Sequence, residues 1–284
     1  TFDELYGRDS KFLDALNERK QAFVAEIPSD TRVWTRKPKV IRRTPAKTGR
    51  GRPRNVPRTT RKPAACEVRN LVKYSAMFQK QSWQRYRIKD TESGPEVWEV
   101  KWLRVWRKTE GKLPSKQQTL IVCRNVRTGE VKYFLSNQVV GRGGVTLRWL
   151  LRVAFSRWSI EYCFRVAKEE LGMDHFQVRG WRCIHRHYCL TALSFLFCSR
   201  TRQRLDGDHT RGLTVEQVRR AVNAYLAHYH LPPDLRDEAF EKELNHPRYH
   251  QERNAQAKKS HTKTRVQFYH DLGIDVDTIK SCVA

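Results

Sequence analysis

No stretch of this 284-residue chain approaches the roughly 18 consecutive apolar residues of a membrane-spanning helix, so a spanning anchor is excluded. Its start has no charged segment followed by an apolar run and a small-residue cleavage site, so nothing indicates export. A disulfide framework is missing too. The cysteines at 66, 123, 163, 183, 189, 198 and 282 are odd in number and irregular in spacing, which fits a reducing cytoplasm better than a secreted scaffold. No internal repeat is present. Between residues 36 and 62 there is no acid at all, against twelve basic residues and several prolines.

What is present is a globular composition, 39% hydrophobic and 11% aromatic, enough for one large domain or two ordinary ones. Lys and Arg number 56 against 30 Asp and Glu, a formal +26 that would repel itself unless a polyanion sits against it. Nucleic acid is therefore the expected partner, and a cytoplasmic, nucleoid-associated location follows.

Residues 9–20 place Phe12, Leu13 and Leu16 on one helical face behind an Asp9 or Ser10 cap. The run Ala22–Pro28 reads as a short buried strand stopped by proline. The opening is thus strand end, helix, strand, an α/β unit, and the start at Thr1 sets the expectation that an upstream part is missing. The basic 36–62 segment is expected to be an extended loop ordered only on a polyanion. Strand-like runs at 97–108 and 119–136, with a turn at Thr128-Gly129, predict a small sheet. Helix is expected from about 146 to 205, broken near Gly172 and Gly180. A capping box of Thr214 and Gln217 then opens a helix that Pro232 and Pro233 end, and beyond 245 the chain is polar with no clear core.

Several constellations could carry chemistry. On a helix through 155–181, Leu151, Ala154, Phe155, Trp158 and Tyr162 share one face, while Arg157, Glu161 and Lys168 fall on another at spacings of four and seven. Such a stripe is either an exposed ion-paired face or an acid flanked by phosphate-binding cations. Arg50-Gly51-Arg52-Pro53 has the form of an AT-hook core for a narrow minor groove, with nonspecific phosphate binding as its alternative. Trp98, Trp102 and Trp106 fall on one side of a strand, a core pattern. Cys183, His185, His187 and Cys189 alternate along a helix, a spacing that suits a packed helix better than a zinc site.

The Arg157, Glu161, Lys168 spacing resembles the Y-x2-R-x3-E-x6-K signature around the last catalytic Glu of DDE-type insertion-sequence transposases. Position 154 is Ala where that signature has Tyr. The segment FDELYGRDSKFLDALNERKQAFVAEIP is similar to the family's second catalytic Asp region, and Asp3 matches the acid that ends a strand before Tyr-Gly. The resemblance covers residues 1 to about 205. It implies an α/β fold: an RNase H-like catalytic core interrupted by a β-rich insertion, with a helical C-terminal tail. The implied division is 1–30 core, 31–145 basic loop and insertion, 146–207 core helices and 208–284 tail. It implies Mg2+ (or Mn2+) held by Asp3 and Glu161, together with a first Asp on a strand before Thr1. Arg157 and Lys168 would hold DNA phosphates, and Arg50 and Arg52 would add binding. An aromatic of the insertion would stack on a flipped base where hairpins form. The implied activity is cleavage and strand transfer on double-stranded DNA, at transposon ends and target, by a homodimer. The alternative is a catalytically incomplete DNA-binding remnant or an inhibitor of transposition.

Overall fold

The computed structural model describes residues 1–42, 56–91, 93–205, 213–230 and 232–282. In chain order the elements begin α1 (Glu4–Gly7), α2 (Ser10–Glu18), β1 (Val24–Glu26), β2 (Arg32–Trp34), β3 (Val40–Ile41), β4 (Arg58–Thr59) and β5 (Cys66–Glu67). Then come α3 (Val68–Tyr74), α4 (Ala76–Gln79), β6 (Gln84–Thr91), β7 (Gly94–Lys108), β8 (Pro114–Asn125) and β9 (Val131–Ser136). The rest is α5 (Leu147–Phe155), α6 (Trp158–Leu171), α7 (Trp181–Leu205), α8 (Val215–His230), α9 (Pro233–Asp271) and β10 (Lys280–Ser281). Two units emerge: Thr1–Arg157 with His261–Ala284, and Trp158–Ser260.

The first unit is built on a mixed sheet that, among the described residues, has eight strands in the order β1-β9-β8-β7-β2-β5, with β6 on β7 and β10 on β6. The strands expected to form a separate small sheet instead join the opening α/β unit, because β9 runs antiparallel to β1 with Val24 opposite Ser136. Both faces of the sheet are covered. On one, Leu147, Leu150, Leu151 and Ala154 of α5 meet Trp98, Val100, Ile121, Cys123 and Phe134. On the other, Leu13 of α2, Val68 and Leu71 of α3 and Phe78 of α4 meet Ala25, Val105, Leu120, Val122 and Leu135. Successive residues of β8 therefore point into opposite cores, which is why Leu120–Cys123 is a continuous apolar run. Each fully buried leucine of this kind contributes about 1.5–3 kcal/mol.

Local rules account for the ends. Asp9 caps α2 by accepting from the backbone N–H of Lys11 (2.9 Å) and Phe12 (3.0 Å). The β8–β9 turn closes where expected: the Asn125 side chain accepts from the N–H of Arg127 and Thr128, and Gly129 takes a positive φ of 73°. The basic 36–62 segment is not all loop, since β3 pairs with β4, Val40 opposite Thr59. The region beyond 245 also differs from expectation. Tyr269, Ile274 and Val276 bury against Val97, and β10 adds to the sheet edge in parallel with β6. A short apolar cluster after a long polar helix carries too little periodicity to show in sequence.

One buried polar contact ties the helices to the sheet. Arg107, 3% exposed on β7, donates to the Asp14 carboxylate and the Ser10 hydroxyl of α2, while its backbone N–H donates to Ser115 Oγ at 2.9 Å. Burial pulls its guanidinium below the ordinary range and the Asp14 charge opposes that pull.

The second unit is helical. Val166 of α6, Cys198 of α7 and Val215 and Val218 of α8 form its core, with Tyr162, Leu171, Phe195 and Val222 packed around them. The predicted capping box is present and reciprocal: Thr214 Oγ1 accepts from the Gln217 N–H at 3.1 Å, and Gln217 Oε1 accepts from the Thr214 N–H at 2.9 Å. Pro232 and Pro233 separate α8 from α9.

Two outcomes test this packing. At Gly7 an added Cβ would lie 1.8 Å from the Glu26 carbonyl oxygen, so Gly7→Ala must push α1 off β1. Its chemical denaturation midpoint should fall by the equivalent of about 1–3 kcal/mol or more, as overpacking does. Asp14→Ala strands the Arg107 charge and should cost about 3–5 kcal/mol, whereas the double change Asp14→Leu with Arg107→Met should recover most of it in the same measurement.

Candidate active site

Asp3 stands where a strand gives way to a helix. Phe2 pairs in parallel with Ala25, and its carbonyl accepts from the Glu26 N–H at 3.1 Å, so the chain enters beside β1. Asp3 is the N-cap of α1; its Oδ1 accepts from the Tyr6 N–H at 3.5 Å and its extended backbone starts the turn. The Tyr-Gly that follows has a physical reason, because α1 lies so near β1 that only glycine fits at position 7. Phe12 holds this corner, with ring centroids 5.2 Å from Phe2 and 5.7 Å from Tyr6.

Arg157 reaches the same corner, with Nη1 3.9 Å from Asp3 Oδ2. It does not lie on one continuous helix with Glu161. Helix α5 ends at Phe155, where the Ser156 N–H and Oγ both turn back to the Val153 carbonyl, at 3.3 and 2.8 Å. Arg157 therefore occupies a two-residue turn, and α6 starts afresh at Trp158. The split apolar face has the same cause. Ala154 and Phe155 enter the sheet core, Phe155 lying 5.0 Å from Trp98 and 5.4 Å from Phe134 by centroid, whereas Trp158 is 50% exposed and stacks on Tyr162 at 5.4 Å. Ala154 thus fills a tight core position where the family signature has Tyr.

Within the second unit, Glu161 sits in the first turn of α6 and Lys168 in its last, seven residues apart and both exposed. The opposite face carries Tyr162, Val166 and Leu171 into the helical core. The structure brings Asp3 together with Arg157 in one unit and sets Glu161 with Lys168 on one helix in the other. Arg50 and Arg52 lie outside the described residues.

The remaining sequence features take structural places. Trp98 is 2% exposed in the core, with Trp102 packed beside it, and Trp106 faces Trp34 across the β2–β7 pair. On α7 the His185 ring packs against Trp181 at 4.0 Å and His187 Nε2 is 2.9 Å from the Gly172 carbonyl, while Cys183 and Cys189 are exposed. Leu190, Leu193 and Phe197 remain exposed on this helix, which presents mainly Thr191, Phe195 and Cys198 inward.

Beside Asp3 the first unit also holds a polar cleft of about 460 Å³, lined by Glu4, Arg8, Glu26, Asp30, Arg69 and Lys132 among others. Lys132 pairs with Glu26 there at 3.0 Å. Its walls come from four separate chain segments, so no local sequence signal could have announced it.

Compared with known proteins, residues 1–95 of the 284 match the family model described as DDE superfamily endonuclease. No curated protein matches the chain. The matched part contains Asp3 and supports a nuclease of the DDE type, a class that uses divalent metal and acts on DNA. The mixed α/β fold, with its large mixed sheet and helical C-terminal region, is consistent with an RNase H-like domain of that superfamily. The donor chemistry fits such a metal, because Asp3 and Glu161 are both solvent-accessible carboxylates and hard oxygen ligands are what Mg2+ takes.

The thiols give a test of the local environments. Burial pushes Cys123 upward and Cys282 up to about 11, and the thiolate is the reactive form. At pH 8 Cys183 and Cys189 should be alkylated quickly by iodoacetamide, with or without a chelator. Cys123 and Cys282 should wait for denaturant or, for Cys282, for pH near 11. Protection of Cys183 and Cys189 that a chelator relieves would indicate a metal there after all.

Proposed function

We propose that this chain acts in DNA transposition as a DDE-type transposase of the insertion-sequence kind. What carries the reading is Asp3 at a strand end beside Arg157, within the segment that matches the endonuclease family model. In this reading Asp3 and Glu161 hold Mg2+ or Mn2+, which when bound activates the attacking oxygen and stabilises the leaving one at a phosphodiester. The chain's own residues supply the setting. Lys168 lies two helical turns from Glu161 on the same exposed face of α6, placed to hold a DNA phosphate beside that carboxylate. Arg157 does the same beside Asp3, and its planar fork suits a phosphate oxyanion. The formal +26 draws double-stranded DNA, both element ends and target, onto the protein. A homodimer bridging two element ends, and association with the nucleoid, complete the proposal.

Asp3→Ala and Glu161→Ala should each abolish Mg2+-dependent strand cleavage in the full-length protein while duplex binding, read by gel shift, stays within about twofold of wild type, as removing an exposed acid predicts. Loss of binding in step with cleavage would make these residues structural. Binding without cleavage by the unaltered full-length protein would favour a DNA-binding inhibitor of transposition instead.

A further inference from the structure

We propose that Arg157 gates Asp3: its guanidinium stands on the cation side of the carboxylate until a DNA phosphate draws it away, so that metal binding at Asp3 is coupled to DNA binding. The inference rests on the reading of Asp3 as a metal ligand.

Both oxygens of Asp3 face positive groups. Oδ2 is 3.9 Å from Arg157 Nη1, and Oδ1 faces the Tyr6 N–H of α1 at 3.5 Å. An incoming cation must therefore displace one of these partners and also approach a fixed positive charge. The guanidinium is the one that can leave. The Tyr6 N–H belongs to the first turn of a helix pinned by Gly7 against β1, whereas Arg157 is a long side chain in the turn between α5 and α6. The two side chains are 33% and 41% exposed, so water is at hand to take over during the exchange and the pair is of the weak, exposed kind. A phosphate offers Arg157 a better partner, because it can accept two parallel N–H bonds where the carboxylate now receives one long contact.

The two events then assist each other. DNA, by recruiting Arg157, unmasks the Asp3 carboxylate; metal, by taking Asp3, releases Arg157 for phosphate. Linkage requires the two factors to be equal. An exposed pair of this kind corresponds to a factor of about two to five in affinity. A nuclease wired in this way takes up its metal best when a strand is already in place, which limits stray cutting.

The test uses Mn2+ as probe, its free concentration read by electron paramagnetic resonance, with the full chain alone and with a short duplex, against the same duplex without protein. Wild type should bind Mn2+ about two- to fivefold more tightly when DNA is present. Arg157→Gln should show that gain already without DNA and no further gain with it, and Arg157→Lys should restore the dependence. If Arg157→Gln leaves Mn2+ affinity unchanged while Asp3→Asn lowers it, the gate is overturned and Asp3 remains a metal ligand. If Asp3→Asn has no effect on Mn2+ binding, the role of Asp3 fails and the gate with it.

Discussion

Strand β7 has hydrogen-bonded neighbours along both edges, and the first unit is organised around that constraint. β8 follows one edge from Trp98 to Lys108, while the other edge is shared by β6 near its start and β2 near its end. A strand so placed leaves no row of backbone groups to water, so its side chains must satisfy two cores at once. Trp98 and Val100 fill the α5 side and Val105 the α2 side, and Arg107 at the far end reaches across to Asp14. The position of Asp3 descends from this arrangement, because α1 and α2 are held at one end by glycine contact with β1 and at the other by Arg107.

Much of this was legible in residues. The Asp9 cap, the Thr128-Gly129 turn, the breaks near Gly172 and Gly180 and the Thr214–Gln217 box are all local devices in which a side chain meets backbone within a few positions. Such devices act over the span that pattern reading covers. What stayed hidden depends on distant partners. Nothing local in Val131–Ser136 says that it will lie against Val24–Glu26, and nothing in the polar 245–284 stretch says that Tyr269 will close over Val97.

The site divides in the same way. Asp3 and the Tyr-Gly after it could be picked out because a close backbone approach demands glycine, and that demand is written at a single position. Arg157 could be picked out by spacing but not placed, since a helical period drawn from Leu151 to Lys168 passes straight through the turn at Ser156–Arg157. Ser156 is the residue that breaks the period: its hydroxyl competes for the Val153 carbonyl, an effect that residue type suggests only once the helix end is known.

The antiparallel seam between β9 and β1 carries a consequence for how such a chain can be altered. The β-rich stretch between the opening α/β unit and α5 shares strands, a core and a buried charge with what precedes it, so it is not a cassette. Grafting another protein's stretch in its place would remove the partner of β1 and the counterpart of Asp14 together. Variation in this chain is therefore channelled to the β3–β4 connection, where length can change without touching the seam.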